Sequence, residues 1–121
     1  MDRDACYRLC LRLTERLSRG DTRALRCATE KELNGFKAIR SRCHENVDRW
    51  CRLHPGHVPV RGWLNSGGIL DRHSVVDPGD GTLLDISPRR DAAQLPFLLH
   101  DTEDGPFDTL PHQVIVTRLL L

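Results

Sequence analysis

The sequence changes its hydrophobic periodicity at the stretch HPG (54–56), and this change constrains the fold more than any other feature. Before it, apolar residues recur at helical spacing; after it, short segments rich in β-branched residues are separated by Gly and Pro. Helices followed by strands predict an α+β fold, with N-terminal helices packed on a small antiparallel sheet. Because 121 residues is the size of one domain, we expect a single domain over 1–121, with a helical part (1–56) and a sheet part (57–121).

Three helices are predicted in the helical part, because each has its own start or stop signal. The first ends at Gly20. The second covers about residues 22–33, with Asp21 as its N-cap, and the third covers about residues 42–54, with Ser41 as its N-cap. The first helix carries an apolar stripe at helical spacing: Cys6, Leu9, Cys10, Leu13 and Leu17.

The sheet part contains short runs with β-propensity, each bounded by turn residues. These predicted strands cover residues 58–64, 67–76, 82–86 and 113–121. Residues 87–112 hold four of the seven prolines and many acidic residues. We therefore interpret them as a long surface connection, with room for one short strand at the apolar patch PFLL (96–99).

Charge and cysteine content narrow the functional class. With 18 Lys plus Arg against 17 Asp plus Glu, the net charge of +1 gives no field for nucleic acid or an anionic membrane, so we expect neither as a partner. Charged residues interrupt every apolar group near the N-terminus, which argues against a secretory signal and favours a cytoplasmic protein; export by a signal-independent route stays open. Five cysteines without the spacing of small secreted proteins predict free thiols.

A hairpin around the turn DPGDG (77–81) carries two polar residues that a simple hairpin does not need. In a symmetric antiparallel pairing centred on Gly79, His73 and Asp85 stand at equal distances from the turn and face each other. Facing Cβ atoms lie about 4.5 to 5.5 Å apart, close enough for a carboxylate to hold an imidazole N–H and fix its tautomer. The hairpin therefore predicts a His73–Asp85 pair.

Cys43 is a candidate nucleophile because of its place at the start of the third helix. A thiol at the second position of a helix capped by Ser41 sits at the positive end of the helix dipole, which favours the thiolate. Placing His73 nearby would lower the pKa of this thiol further. The unpaired N–H groups of the first helical turn are suited to donate to the oxyanion that forms when a thiolate attacks a carbonyl.

The order of a Cys at a helix start, a His at the opening of a strand and an Asp on the next strand shortly before a Pro resembles the papain-like cysteine peptidases. It is most similar to their transglutaminase-like branch. The matching stretch runs from Ser41 to Pro88. The resemblance implies a papain-like α+β core in which Cys43 is the nucleophile, His73 the general base and Asp85 the orienting acid. It also implies a protein or peptide substrate, a thioester acyl-enzyme and no cofactor.

The sequence indicates less clearly which residues would stabilise the oxyanion or bind the substrate. Family members supply an oxyanion donor from a side chain upstream of the Cys, and no Gln occurs there; Asn34, Asn46 and backbone N–H groups are the candidates. The strings SRCHEN and HSVV also lack the small residues before the Cys and the aromatic residue after the His that members often have. Trp50 and Trp63 are candidates for a peptide groove, with the core as the alternative place. We take Trp63 and Asn46 as candidate substrate-binding residues.

The histidines and cysteines of the third helix and its exit also suggest a zinc site. Its ligands would come from Cys43, His44, Cys51, His54 and His57. This spacing sets the ligands along one helix, so closure around one ion is hard and no metal is expected. His54 is predicted instead to pack or to cap the helix C-terminus.

The sequence leaves alternatives open at two levels. His100 and His112 are each able to replace His73 as the base, although both are predicted to be solvated loop residues. Peptidase, Gln deamidase and transglutaminase share the thioester route and differ in leaving group and acceptor, so we expect a cysteine-dependent amide-bond enzyme without choosing among them. A non-catalytic protein–protein interaction module on the same fold is the alternative from a different class, and the oligomeric state is not indicated.

Overall fold

The computed structural model describes residues 1–88 and 94–116, and the protein has the mixed α+β architecture that the sequence predicts. Within this part of the chain, no helix has the length and apolar character needed to cross a membrane. Two 3₁₀ helices, Thr102–Asp104 and Phe107–Thr109, accompany the regular elements. In chain order, the helices and strands are α1 (Arg3–Ser18), β1 (Thr22–Arg23), β2 (Arg26–Cys27), α2 (Glu30–Leu33), α3 (Cys43–Leu53), β3 (Val58–Ser66), β4 (Ile69–Asp77), β5 (Leu84–Asp85), β6 (Phe97–Leu99) and β7 (Gln113–Ile115).

Helix α1 forms where the apolar stripe predicts it. Asp2 caps its N-terminus by accepting a hydrogen bond from the Ala5 N–H at 2.7 Å, which satisfies one of the unpaired donors of the first turn. Leu9 and Leu13 are fully buried, and Cys10 packs against the same core. The predicted stripe is therefore confirmed.

The seven strands form one sheet, which curls on itself. The path runs β1-β6-β3-β4-β5-β2, and β7 pairs with β4 beside this path. β1 and β2, the two ends of the path, are joined only by Ala24 and Leu25, so the two ends of the sheet lie side by side. The pairing of β2 with β5 is parallel, and the other pairings are antiparallel.

The curl gives the sheet an inner and an outer surface, because successive strand residues point to opposite faces. The helices cover the outer surface in two places. α1 packs on Trp63, Leu70 and Leu98, and α3 places Val47 and Trp50 against β4 and β5. The inner surface has an apolar cluster of its own, formed by Leu25, Leu64, Val75, Leu83 and Phe97.

One edge of β4 has strand partners at its two ends but not at its middle. β7 pairs with β4 through residues 69–71, and β5 pairs with it through Val76 and Leu84. The stretch of β4 that carries His73 lies between these pairings, where loop residues rather than a strand border it in the described chain. The inner surface is therefore accessible at this point of the edge.

The helix predicted over residues 22–33 is wrong for most of its length. Residues 22–27 contain β1 and β2, and only Glu30–Leu33 is helical, with Thr29 as its N-cap. The two short strands complete the sheet by pairing with β6 and β5, so sheet pairing overrides the local helix signals. The helical part (1–56) therefore also supplies the two end strands of the sheet.

The prediction of a surface connection with room for one short strand over residues 87–112 is correct in part within the described residues of that segment. The short strand is present and many of the other residues are exposed, but the strand lies inside the sheet rather than on the surface. The apolar patch PFLL forms β6, which lies between β1 and β3 with Phe97 and Leu98 fully buried. Further along, the buried Asp104 carboxylate accepts a hydrogen bond from the Arg12 guanidinium at 2.5 Å. A three-residue strand shows too little alternation to be found from periodicity, and its burial comes from partners distant in sequence.

The strands around the hairpin follow the predictions more closely. β3 and β4 match the predicted segments 58–64 and 67–76 to within two residues at each end. β5 is shorter than the predicted segment 82–86, and β7 covers only the start of the predicted segment 113–121. Residues 117–121 of that segment lie outside the described residues.

Leu13→Ala should destabilise the fold, because Leu13 is fully buried between α1 and the sheet. We expect the free energy of unfolding, measured by urea denaturation, to fall by about 2 to 5 kcal/mol. Leu11→Ala on the same helix is the matched control: Leu11 is 43% exposed, and its truncation should cost less than about 0.5 kcal/mol. Equal losses at the two positions would contradict this packing of α1.

Candidate active site

A cleft of about 800 Å³ opens at the middle of the β4 edge. It is bordered by the loop before α3, the first turn of α3, the middle of β4, the loop after β5 and the residue before β7. Only the folded chain brings these stretches together. The titratable or amide side chains on its wall are Arg40, Cys43, His44, Asn46, Arg72, His73 and His112.

Cys43 lies at the start of α3, as predicted, but the helix boundary differs. The helix begins at Cys43 itself, and Arg42 is the N-cap without a side-chain hydrogen bond to the helix. Ser41, the predicted N-cap, has φ +63°, which is not the extended conformation that an N-cap requires. The first-turn N–H groups therefore lie beside the thiol without a capping side chain from Arg42.

His73 and Asp85 form the predicted contact. His73 Nε2 lies 3.2 Å from Asp85 Oδ2, and both side chains are almost fully buried. The other carboxylate oxygen accepts a hydrogen bond from the Ser87 N–H at 2.8 Å, so the carboxylate is fixed at both oxygens. Because Nε2 is held by Asp85, Nδ1 is the nitrogen left to face the Cys43 thiol. The predicted contact between His73 and Asp85 is confirmed.

The register that produces this contact is not the predicted one. β4 and β5 pair at Val76 and Leu84, which moves the centre of the connection by one residue from Gly79. His73 and Asp85 are therefore diagonal neighbours on the inner surface rather than direct cross-strand partners. Diagonal side chains of this length remain within reach of each other.

The shape of the turn explains the shift in register. The Asp77 side chain accepts the Gly79 N–H at 2.8 Å, and the Asp80 side chain accepts the Thr82 N–H at 3.0 Å. Two successive turns of this kind take the place of one symmetric turn. The added length moves β5 along β4 by two residues. Because side chains alternate between the two faces of a strand, His73 and Asp85 stay on the same surface of the sheet.

The surroundings of Cys43 and His73 favour a thiolate–imidazolium pair. Burial by itself raises the pKa of the Cys43 thiol, but hydrogen bonds with His44 and His73 and the charge of His73 outweigh it and lower that pKa to about 5. Burial lowers the pKa of His73, but hydrogen bonds with Asp85 and Cys43 and their negative charges outweigh it and raise that pKa to about 9. Between these pH values the sulfur is ionised and the ring carries the proton.

A second imidazole, His44, lies beside the thiol, and the sequence suggests it only as a zinc ligand. Its Nδ1 bonds Ser74 Oγ, which also accepts a hydrogen bond from Arg61 at 3.0 Å. Arg61 in turn donates to both carboxylate oxygens of Asp48 on α3, at 2.8 and 2.9 Å. Arg61 and Ser74 face each other across the β3–β4 hairpin. Such a polar cross-strand pair is the sequence signal that could have pointed to this network.

The two candidate substrate-binding residues have different places. Asn46 lines the cleft, but its amide accepts the Ile39 N–H at 2.9 Å and donates to the Ile39 C=O at 2.8 Å, so it holds the loop before α3. Trp63 is fully buried in the core, where its ring packs on Phe107 with centroids 6.1 Å apart, and the predicted substrate contact is not supported. Asn34, another oxyanion candidate, ends α2 in the left-handed conformation.

The histidines of the suggested zinc site make other contacts. His54 stacks on Trp50 with ring centroids 3.8 Å apart and bonds the Trp50 C=O through Nδ1 at 2.8 Å, as the C-cap of α3. His57 accepts a hydrogen bond from Trp50 Nε1 at 3.0 Å. Within residues 1–88 and 94–116, no group of three or more His, Cys, Asp or Glu residues is arranged to hold a metal ion. The predicted packing of His54 is confirmed, and all five cysteines are free thiols as predicted.

The two alternative bases occupy different environments. His112 is exposed on the cleft wall, where its Nδ1 accepts a hydrogen bond from Arg72 at 2.8 Å. His100 is half-buried against Phe107, with ring centroids 5.2 Å apart, so the prediction that it is solvated is wrong. His73 combines contact with the thiol and contact with a carboxylate, and is therefore the best candidate for the base.

Comparisons with models of known protein families, with curated proteins and with solved structures gave no match. The functional interpretation of the cleft therefore rests on its geometry and chemistry.

Alkylation by iodoacetamide should be fastest at Cys43 and should follow the ionisation of that thiol. Because the pKa of Cys43 is about 5, its alkylation rate should reach a plateau by about pH 6. The alkylation rate of an ordinary thiol has its midpoint at about pH 8.5. His73→Ala removes one group that stabilises the thiolate, so the Cys43 midpoint should rise by about one pH unit or more. The rates are measured by mass spectrometry of the labelled peptides.

Cys10 is the internal control for this measurement. Burial and the neighbouring Cys6 raise the pKa of the Cys10 thiol, so its alkylation should begin only at alkaline pH. A single common midpoint for all five cysteines, or a Cys43 midpoint that does not move in His73→Ala, would contradict the thiolate–imidazolium pair.

Proposed function

We propose that the protein is a cysteine-dependent amide-bond enzyme of the peptidase, Gln deamidase or transglutaminase type, working through a thioester acyl-enzyme. The observation that carries the proposal is the geometry of the cleft: Cys43 and His73 line it together, and His73 contacts the buried carboxylate of Asp85 at 3.2 Å. A thiol with only a packing role has no need of a charged imidazole, whereas a nucleophile needs one to be ionised near neutral pH.

The proposed reaction uses the resting ion pair directly. The thiolate attacks the carbonyl carbon of an amide, a C–S bond forms, and the carbonyl electron pair moves to oxygen. The oxyanion then collapses, the His73 imidazolium gives its proton to the departing nitrogen, and ammonia or an amine leaves as the C–N bond breaks. Neutral His73 next takes a proton from water or a second amine, which attacks the thioester and releases the thiolate. Asp85 orients the ring through both transfers, and the scheme needs no cofactor.

We also propose that the fold belongs to the papain-like family. α3 carries Cys43 at its N-terminus, β4 carries His73 and β5 carries Asp85, in the chain order of the papain-like enzymes. This order supports the inference that α3 and the curled sheet are a papain-like core, most similar to the transglutaminase-like branch.

The charge of the cleft favours a particular kind of protein or peptide substrate. Arg40 and Arg72 lie on its wall, and the described lining residues include no Asp or Glu. A cleft lined by one sign of charge attracts ligands of the opposite sign. The proposed acyl donors therefore carry a carboxylate near the reacting amide.

A non-catalytic interaction module on the same fold is the contrasting hypothesis. Such a module needs neither an ionised thiol nor turnover, so five inert cysteines would favour it. The proposal of an enzyme also includes a cytoplasmic location and a protein or peptide partner, without a role in binding nucleic acid or membranes.

Incubation with a library of acidic peptides tests the proposed function and separates its three forms. Mass spectrometry should detect new peptide C-termini for a peptidase, conversion of Gln to Glu for a deamidase, or incorporation of an added primary amine for a transglutaminase. Cys43→Ala should abolish whichever reaction occurs, and Cys51→Ala on the same helix should retain it. Turnover that survives Cys43→Ala would contradict the proposal.

Asp85→Asn should preserve the fold, checked by circular dichroism, and slow the reaction. The amide keeps the size of the side chain but removes the charge that stabilises the His73 imidazolium, so kcat should fall by a factor of about 10 to 10⁴, no more than in Cys43→Ala. Asp77→Asn is the control, because Asp77 lies at the start of the turn and accepts the Gly79 N–H, a role that Asn fills equally well. A silent Asp85→Asn, or an equal loss in Asp77→Asn, would remove Asp85 from the site.

A further inference from the structure

His44 is held in the cleft by contacts that fix the orientation of its ring. Its Nδ1 bonds Ser74 Oγ, and the ring packs edge-on against Phe107 with centroids 5.4 Å apart. The ring lines the cleft next to Cys43, and it contributes to the lowered pKa of the Cys43 thiol. A polar group fixed in this way beside the reacting atom is preorganised to act on it.

The hydrogen bonds of Ser74 determine which His44 nitrogen carries the proton. Ser74 is 1% exposed, and its oxygen accepts the Arg61 N–H at 3.0 Å. Its single hydroxyl proton needs an acceptor, and within the part of the chain that the structure describes, His44 Nδ1 is the acceptor at hand. With Nδ1 accepting, the proton of the neutral ring lies on Nε2, so His44 presents an N–H donor.

We propose that His44 Nε2–H is the side-chain donor of the oxyanion hole for Cys43, acting with the backbone N–H groups at the start of α3. The inference rests on the proposed function, since it requires a carbonyl that the thiolate attacks. The amide candidates that the sequence suggests do not fill this role: the Asn46 amide is bonded to Ile39, Asn34 does not line the cleft, and no Gln precedes Cys43 in the sequence. The donor then comes from the residue directly after the nucleophile.

The proposed donor acts on charge that moves during the attack. In the resting site Nε2–H donates to the sulfur, which holds the negative charge. As the C–S bond forms, that charge passes to the carbonyl oxygen, and the same N–H donates to the oxygen without giving up its proton. Asp48 and Arg61 hold Ser74 against His44 and are therefore positioning residues for this donor.

Two small probes separate this role from activation of the thiol. p-Nitrophenyl acetate acylates Cys43 through an oxyanion, forming a thioester and releasing p-nitrophenolate, whereas iodoacetamide alkylates the thiolate by displacing iodide without an oxyanion. Both rates are followed across pH, and their plateaus at full ionisation are compared. His44→Leu should lower the acylation plateau by a factor of about 10² and leave the alkylation plateau nearly unchanged. His44→Gln, whose amide offers an N–H donor, should recover part of the acylation rate.

The outcomes distinguish this inference from the proposed function. Wild-type protein that forms no acetyl thioester on Cys43 would overturn the proposed function itself. Wild-type acylation that His44→Leu leaves unchanged, or an equal fall of both plateaus, would overturn only the role of His44. If His44→Leu does not fold, Ser74→Ala replaces it, because without the Ser74 hydroxyl the His44 proton is no longer fixed on Nε2. Ser74→Ala should lower the acylation plateau but not the alkylation plateau. Equal effects on both plateaus would overturn the proposed role of His44.

Discussion

The candidate site depends on one buried interaction, the contact between His73 and Asp85. A carboxylate that is 2% exposed is stable as an ion only if hydrogen bonds and an opposite charge replace its lost hydration. Asp85 obtains both, from His73 at 3.2 Å and from the Ser87 N–H at 2.8 Å. The same contact favours the protonated form of His73, which in turn stabilises the Cys43 thiolate. A charge on the inner surface of the sheet thereby sets the ionisation of a thiol on a helix that packs outside it.

Prediction from the sequence works where a signal is local and repeated, as in α1, α3, β3 and β4. The contact of His73 with Asp85 is predictable for the same reason, because alternation along the strands survives a slip of the register by two residues. β1, β2 and β6 are not predictable from periodicity, since each has two or three residues and pairs with strands distant in sequence. Besides the apolar patch PFLL, Gly62 is a sign of β6: a Cβ there would lie 2.4 Å from the Leu98 carbonyl oxygen, so the glycine marks the close approach of β3 and β6.

The two imidazoles beside Cys43 differ in their partners, and the partners define their tasks in the proposed mechanism. His73 bonds a carboxylate, which stabilises its charged form for proton transfer. His44 bonds a hydroxyl that already accepts from Arg61, which leaves the ring an N–H donor. Ser74 is 30 positions from His44 in the chain. The sequence therefore shows a histidine next to the cysteine but not the partner that determines its tautomer.

The parallel pairing of β2 with β5 has a consequence for incomplete chains. β5 is held between β4 and β2, and the Ala28 N–H donates to the Asp85 C=O at 2.9 Å, so residues far apart in sequence must meet before the acid is fixed. The β3–β4 hairpin is local by comparison, and contacts that close long loops form late because they cost more entropy. A chain that has formed α3 and the hairpin without docking its N-terminal segment lacks the contacts of β2 that hold the backbone of β5 in place around Asp85. Full reactivity is thus a property of the finished fold, and we expect a less reactive Cys43 in a nascent or damaged molecule.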